Sequence, residues 1–495
     1  MKIVKQFLRA LLFLIIMGCN RQNIVITVEF PEQSEVNTLI YSVPISGTSY
    51  IDFSDTLKRS ETGKFELKMK ITQPSFITFW SEVSPRNRVK LLVESGNNYH
   101  VSMNSQKNVQ ITGANEMGQM LYQTLPNPVS VFEVGFMREI FPDTMSLISV
   151  HEKINDLKQD ELSKFKELLD EKKISKSFFN LVQKDRDCYY ASVEARFSLI
   201  KTFEPFGRGV KIDDELLENL KKIYDQHSPN DESLLFSSFW IKYARHYIED
   251  YKQFIQDDFS LQNFQDLMKS GKIYTYFSDE AEKYLSGKAL EFFRASHIHY
   301  TCIQPRSSFE KDLISLFEQF EKDYPRSEYS KYLKPYISKI IEYYQTIEQP
   351  FDQAISFIEN YETINNLEEA VKPLQGKKIY IDVWATWCGP CIDEFSNNES
   401  LKKILTENDI QQLYISIDRD DDDQKWKNAI KYHHLTGVHI RVNEEFVQNL
   451  RILYSKNADD PYVSIPWYLL IDENGNIMEE RAKRPSQLVA GEKLW

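Results

Sequence analysis

Twelve residues near the C-terminus, Tyr380 to Cys391, restrict what this chain can fold into more than any other stretch; they read Y-I-D-V-W-A-T-W-C-G-P-C. The alternation of Ile379, Ile381 and Val383 predicts a β-strand that stops by Trp387, and Gly389-Pro390 between two cysteines predicts a helix start. A strand that delivers C-x-x-C to a helix N-terminus is a redox arrangement. Unpaired N–H groups and the helix dipole there favour a thiolate over a thiol, and a second sulfur one turn on can reach the first. Cys388 is therefore expected to be exposed and acidic, and Cys391 more buried.

A chain of 495 residues has room for roughly three domains. Its first residues have the parts of a secretory signal: basic Lys2, Lys5 and Arg9, an apolar core from Ala10 to Met17, then Gly18-Cys19. The apolar core is shorter than the about 20 residues of a spanning helix. Ile16-Met17-Gly18-Cys19 resembles a bacterial lipobox. That resemblance implies a signal peptide of residues 1–18, Cys19 as a lipidated first residue and a short attachment segment, 19–23. An ordinary signal peptide with an incidental cysteine is the alternative. The net charge is −13, and removing the three basic signal residues leaves −16, which argues against nucleic acid as a partner.

Four cysteines remain: Cys188, Cys302, Cys388 and Cys391. An exported dithiol sits in an oxidising compartment, so a reductant there needs a partner that keeps it reduced. Cys188 and Cys302 lie among aromatic residues and read as lone buried thiols, with a disulfide between them as the lesser alternative.

Residues 24–114 alternate as strands do. Ile24, Ile26 and Val28 share a face, as do Phe65, Leu67 and Met69. Val89, Leu91 and Val93 lead through Gly96-Asn97 to Tyr99, Val101 and Met103, which reads as a hairpin. A small β-sandwich is expected. Here L-L-V-E-S-G-N-N-Y-H-V, followed by V-Q-I-T-G, resembles the N-terminal β-domain of Bacteroidetes-type lipoprotein thioredoxin-like proteins. From 115 to 349 the period lengthens to near 3.6, with Phe309, Leu313, Leu316, Phe317, Phe320 and Tyr324 on one stripe and Tyr329, Leu333, Ile337 and Ile340 on the next. These predict an α-helical middle domain. The order from 350 to 495 is a β-prone stretch (354–361), a short helix (365–372), the strand bearing the cysteines, a helix (393–407), a strand (413–417), helices at 425–432 and 444–454, and a hairpin across Asn474-Gly475. A terminal helix is expected to start at Pro485.

That last order is a C-terminal α/β thioredoxin-like fold, and residues 377–495 resemble the membrane-tethered thiol-disulfide oxidoreductases of the TlpA and ResA type. Three features besides C-G-P-C carry the resemblance: Asp382 six residues before Cys388, Glu394 six after it, and Ser464-Ile465-Pro466 ahead of an apolar strand. It implies that the Ile465–Pro466 bond is cis, with the Ile465 carbonyl free for an extended substrate. It also implies that Asp382 is a buried acid accepting the Cys391 proton, its carboxyl raised by desolvation, and that Glu394 assists. Read without the resemblance, Asp382 is equally a hydrogen-bonded core residue and Glu394 a solvated helix residue. Trp384 matches a core position, Trp387 shields the edge of the site, and Gly389 and Pro390 set its geometry and potential. Thioredoxin, with the same tetrad, is a reductant near about −270 mV, whereas a strong oxidant lies near about −120 mV.

Other readings of the sequence are weaker. A zinc site lacks ligand spacing, since only His433, His434 and His439 are near, and a peroxiredoxin would need a different cysteine setting. The acidic run Asp418–Asp423 lacks the glycine and distal glutamate of a calcium loop and reads as a solvated loop with a helix cap. No metal or cofactor is expected. The expected function is disulfide reduction at Cys388-Cys391 by a lipid-anchored protein of the cell envelope facing the periplasm. Its partners would be disulfide-containing exported proteins and a membrane electron donor. A binding or scaffold lipoprotein with an auxiliary redox domain, or a disulfide oxidase or isomerase, is the alternative.

Overall fold

The computed structural model describes residues 23–31, 34–103, 108–125, 140–142, 144–206, 214–256, 260–304 and 309–489. The signal segment and Cys19 lie outside them. The protein is multidomain: N-terminal β-sheets, a helical middle region and a C-terminal sheet with helices. By compactness it divides into two units, one of residues up to Cys302 with Lys311–Tyr336, the other of Ile303–Glu310 with Ile337 onward.

In the first unit, strands β1 (Asn23–Glu29), β2 (Thr38–Ser42), β3 (Ser54–Lys58), β4 (Lys64–Lys70), β5 (Ser75–Ser81), β6 (Ser84–Val93), β7 (Asn98–Met103) and β8 (Val109–Gly113) form two four-stranded sheets. Their orders are β4-β1-β7-β8 and β3-β2-β5-β6. The alternating residues meet in one core: Ile24, Ile26, Phe65 and Val101 from one sheet, Leu39, Phe79, Leu91 and Val93 from the other. The expected hairpin of Val89–Val93 with Tyr99–Met103 does not form. Strand β6 pairs with β5, while β7 runs parallel to β1 and antiparallel to β8. Both strands bury alternate residues in the same core, and crossing from sheet to sheet at Gly96 (φ 80°) satisfies that pattern as well as a hairpin does.

Edge strand β6 is covered rather than exposed. Gln119 and Gln123, one turn apart on the helix Glu116–Gln123, present their amides to it: Gln119 accepts from Leu92 N at 3.2 Å and donates to Leu92 O at 2.7 Å, and Gln123 does the same to Lys90 at 3.2 and 2.7 Å. Side-chain amides thus stand in for a neighbouring strand. The helices that follow include Leu147–Asp170, Lys176–Phe206, Gly287–Ile303, Asp312–Asp323 and Ser330–Ile347. The stripes read from the sequence are buried, Leu313 and Leu333 completely, except for Phe309 and Tyr324 at the two ends of the first, which are partly exposed. Cys188 and Cys302 are separate free buried thiols, so no disulfide joins them. Burial raises both, Cys302 to about 12, which makes them inert.

The second unit carries a six-stranded sheet of order β14-β13-β10-β11-β12-β9, made of β9 (Ile355–Phe357), β10 (Lys378–Trp384), β11 (Ile410–Ser416), β12 (Gly437–Arg441), β13 (Trp467–Ile471) and β14 (Ile477–Glu479). Strands β10, β11, β12 and β9 run parallel, β13 pairs antiparallel with β10, and β14 pairs antiparallel with β13. The sequence did not disclose β12, a five-residue strand that opens on a glycine. Gly437 has φ +142°, and a Cβ there would stand 3.0 Å from the Gln412 carbonyl, so a glycine is what lets β12 lie against β11. The terminal helix expected from Pro485 is, within the described residues, a single tight turn, Pro485–Gln487, because Leu488 is extended (ψ 138°).

Candidate active site

Strand β10 places the site. Its residues Ile379–Val383 are paired on both sides, which fixes where the chain leaves the sheet. The helix Gly389–Glu394 then begins with Cys388 as its cap: Cys391 N donates to Cys388 Sγ at 3.2 Å. The two cysteines form a disulfide, with Cα atoms 5.3 Å apart. Cys388 is only 5% exposed and Cys391 fully buried, so the expected exposure of Cys388 is corrected. In the oxidised pair its sulfur is turned onto Cys391 and packs in a cluster with Trp384, Ala385, Phe395 and Trp426. The exposed residues are its neighbours, Trp387 at 59% together with Gly389 and Pro390.

The Ile465–Pro466 bond is cis, and Ile465 packs against the cluster that holds both cysteines. Asp382 lies in register between Tyr414 of β11 and Tyr468 of β13. It is 1% exposed, and its Oδ1 has no hydrogen-bond partner. Burial, then the charge of Glu394, holds its carboxyl well above the ordinary range. Glu394 is not the solvated helix residue that position alone suggests. It is buried, and both its oxygens accept from one residue: Oε2 from Ser486 N at 3.0 Å and Oε1 from Ser486 Oγ at 2.9 Å.

The acidic run is also partly corrected, because Asp418 is a buried strut and not a solvated loop residue. It accepts from Thr386 N at 3.1 and 3.0 Å, from Thr386 Oγ1 at 2.7 Å and from Ser416 Oγ at 2.7 Å, and so ties the loop just before Cys388 to the end of β11. Asp420 and Asp423 pair with Arg441, and Asp423 accepts from Tyr361 as well. Sequence reading missed Asp418 and Ser486 as parts of the site. Only the S-x-D spacing at the end of β11 hinted at the first, and nothing local pointed to the second. Replacing Asp418 by Ala should leave three donor groups without their acceptor and lower stability by about 1–3 kcal/mol, measured by urea denaturation of the oxidised protein. Stability equal to that of the wild type would mean that the strut does not hold the loop.

A strand-to-helix C-G-P-C disulfide, a cis Ile465–Pro466 bond whose isoleucine packs on its cluster, and a buried acid on the strand that delivers it define a thioredoxin-like thiol-disulfide site. Residues 356–487 match the Redoxin family model. The second unit is accordingly a TlpA/ResA-type thioredoxin-like domain of the thiol-disulfide oxidoreductase family. Similar proteins include the thiol-disulfide oxidoreductase ResA of Bacillus thuringiensis and that of Bacillus cereus, each 26% identical over 111 residues. Each match covers 22% of this chain and 57% of the relative, so the chain spans little more than half the length of these curated relatives. A solution structure of a putative thiol-disulfide oxidoreductase from Bacteroides vulgatus is 32% identical over 24% of this chain and 70% of its own, with a TM-score of 0.20.

Proposed function

We propose that this protein is a membrane-tethered reductant of disulfides in exported proteins, acting by dithiol-disulfide exchange at Cys388 and Cys391. The observation that carries the reading is the Cys388–Cys391 disulfide at a helix start, with the Cys391 N–H on Cys388 Sγ and Ile465 of the cis Ile465–Pro466 bond packed on its cluster. In the reduced enzyme that N–H favours a Cys388 thiolate, which attacks one sulfur of a target disulfide and expels the other as a thiolate. Cys391 passes its proton to Asp382 and attacks Cys388 in the mixed disulfide. The target leaves reduced by two electrons, and the enzyme is left as the disulfide seen here. The Ile465 carbonyl faces an extended target segment, and Trp387, Gly389 and Pro390 form the exposed rim it crosses. A membrane electron donor restores the dithiol.

The tether is lipid on Cys19, exposed as first residue when residues 1–18 are removed. No helix among the described residues is long and apolar enough to cross a membrane. The β-sheet and helical regions, 24–114 and 115–349, would then space the redox domain (350–495) from the lipid or select its targets.

The test is the reduction potential of the Cys388-Cys391 pair in dithiothreitol buffers, with insulin reduction as the activity. A value near that of thioredoxin, about −270 mV, is expected, and a value near about −120 mV would reverse the direction. In cells, labelled palmitate should enter the wild-type chain and not Cys19→Ala; equal labelling of both would remove the tether.

A further inference from the structure

We propose that the groove between the helix Asn398–Glu407 and the start of β11 is a docking site for an extended peptide segment of a protein partner, held by the side-chain amide of Gln412. That the segment belongs to a disulfide-bearing target rests on the exchange reading above; the groove itself does not.

The groove has a volume of about 640 Å³, within the range of sites that hold small ligands and short segments. Phe395, Leu401, Leu405 and Tyr414 give it an apolar floor. Phe395 and Tyr414 also pack in the cluster that holds both cysteines, so the groove abuts the redox centre. The anomaly in it is Gln412, which the alternation of β11 puts on the same face as Tyr414. It is 7% exposed, yet neither its Oε1 nor its Nε2 has a hydrogen-bond partner among the described residues. On the helix side of the groove the buried Nδ2 of Asn398 is unpartnered as well. A buried amide left unpaired works against folding, so its presence calls for a reason outside the fold. Gly437 leaves room beside it. A Cβ there would stand 3.1 Å from Gln412 Cβ and 3.2 Å from Cγ, whereas glycine leaves the stem of the side chain free to turn its amide into the groove.

What such an amide fits is visible elsewhere in the chain. Gln119 pairs its donor and acceptor with the C=O and N–H of one extended residue, Leu92, and Gln123 does so with Lys90. Gln412 carries the same pair of groups with nothing against them. It therefore takes the backbone edge of one extended residue, whose side chain rests on the apolar floor, and main-chain pairing of this kind accepts segments of varied sequence. A partner held here has a second hold beside the cysteines.

The probe is N-acetyl-L-leucine N-methylamide, a single residue with both backbone groups. Its binding is followed by saturation-transfer NMR on the full oxidised chain, where no thiol is available for exchange at Cys388 and Cys391. It should bind the wild type in the millimolar range. Gln412→Met, unbranched and of similar length, should weaken binding about tenfold, the worth of two hydrogen bonds, and Asn398→Ala about threefold. Gln412→Met should also melt at a higher temperature than the wild type, because it removes an unpaired buried amide, whereas an amide that served the fold alone would be missed. The same probe methylated on the leucine nitrogen has no N–H to offer and should bind the wild type about fivefold more weakly. A wild type that does not bind the probe, a Gln412→Met chain that binds as well or melts lower, or equal binding of the two probes would overturn the docking site. Probe binding by a wild-type chain that does not reduce insulin would overturn the assignment of the segment to a disulfide-bearing target and leave the groove standing.

Discussion

Cys391→Ser should accumulate covalent adducts with exported proteins, visible as high-mass bands on non-reducing gels that collapse on reduction, while Cys388→Ser should form none. The asymmetry follows from the helix start. Cys388 Sγ receives a backbone N–H, from Cys391 at 3.2 Å, and Cys388 lies between the exposed Trp387 and Gly389. Cys391 is fully buried and one turn deeper, so the proposed exchange gives it the resolving step and not the attack. Without it the mixed disulfide has no internal route to release. Insulin reduction should fall at least about a hundredfold in both variants, since each removes an obligatory bond-forming sulfur. Adducts trapped on Cys391 in a Cys388→Ser chain would reverse the assignment.

The second large effect is expected at Asp382, and it runs in opposite directions for stability and for rate. Its carboxyl titrates well above the unfolded value of about 3.9 because it is buried, and further because Glu394 is near. The folded state therefore holds that proton more tightly than the unfolded state. The stability this contributes is fully present below about pH 4 and is lost as pH rises through the folded value, at about 1.4 kcal/mol for each pH unit spanned. Asp382→Asn removes the titration. In urea denaturation it should match the wild type near pH 4 and become the more stable protein as pH rises. On the proposed exchange, in which Asp382 accepts the Cys391 proton, the same substitution should slow disulfide closure by about a hundredfold or more. Parallel stability curves for the two proteins across that range would mean that Asp382 is not a desolvated acid.

Much of this site was legible because it is local in sequence. The apolar run of β10, the cysteine spacing, and Gly389-Pro390 at the helix start are short-range signals, and each produced the expected element. The resemblance added the cis bond at Pro466 and the placing of Asp382 in the core. The failures share a cause. Val89–Val93 and Tyr99–Met103 alternate correctly whether they pair with each other or face each other across a sandwich, and only the partners available to β5 and β1 decide between these. Glu394 looks like a surface acid until Ser486, 92 residues away, closes over it. Asp418 looks like one more carboxylate of an acidic run until Thr386 turns its backbone N–H toward it.

The sequence by itself determined which residues carry sulfur chemistry and in what local order, because helix starts, strand alternation and C-x-x-C reach are set within a few residues. The tertiary structure decided the surroundings of that chemistry: which acid is buried and raised, which is clamped, and what braces the loop before Cys388. The physical reason is that burial and hydrogen-bond partnership come from residues brought together across the sheet, β10 with β11 and β13, and no local pattern encodes the dielectric in which a carboxylate ends up.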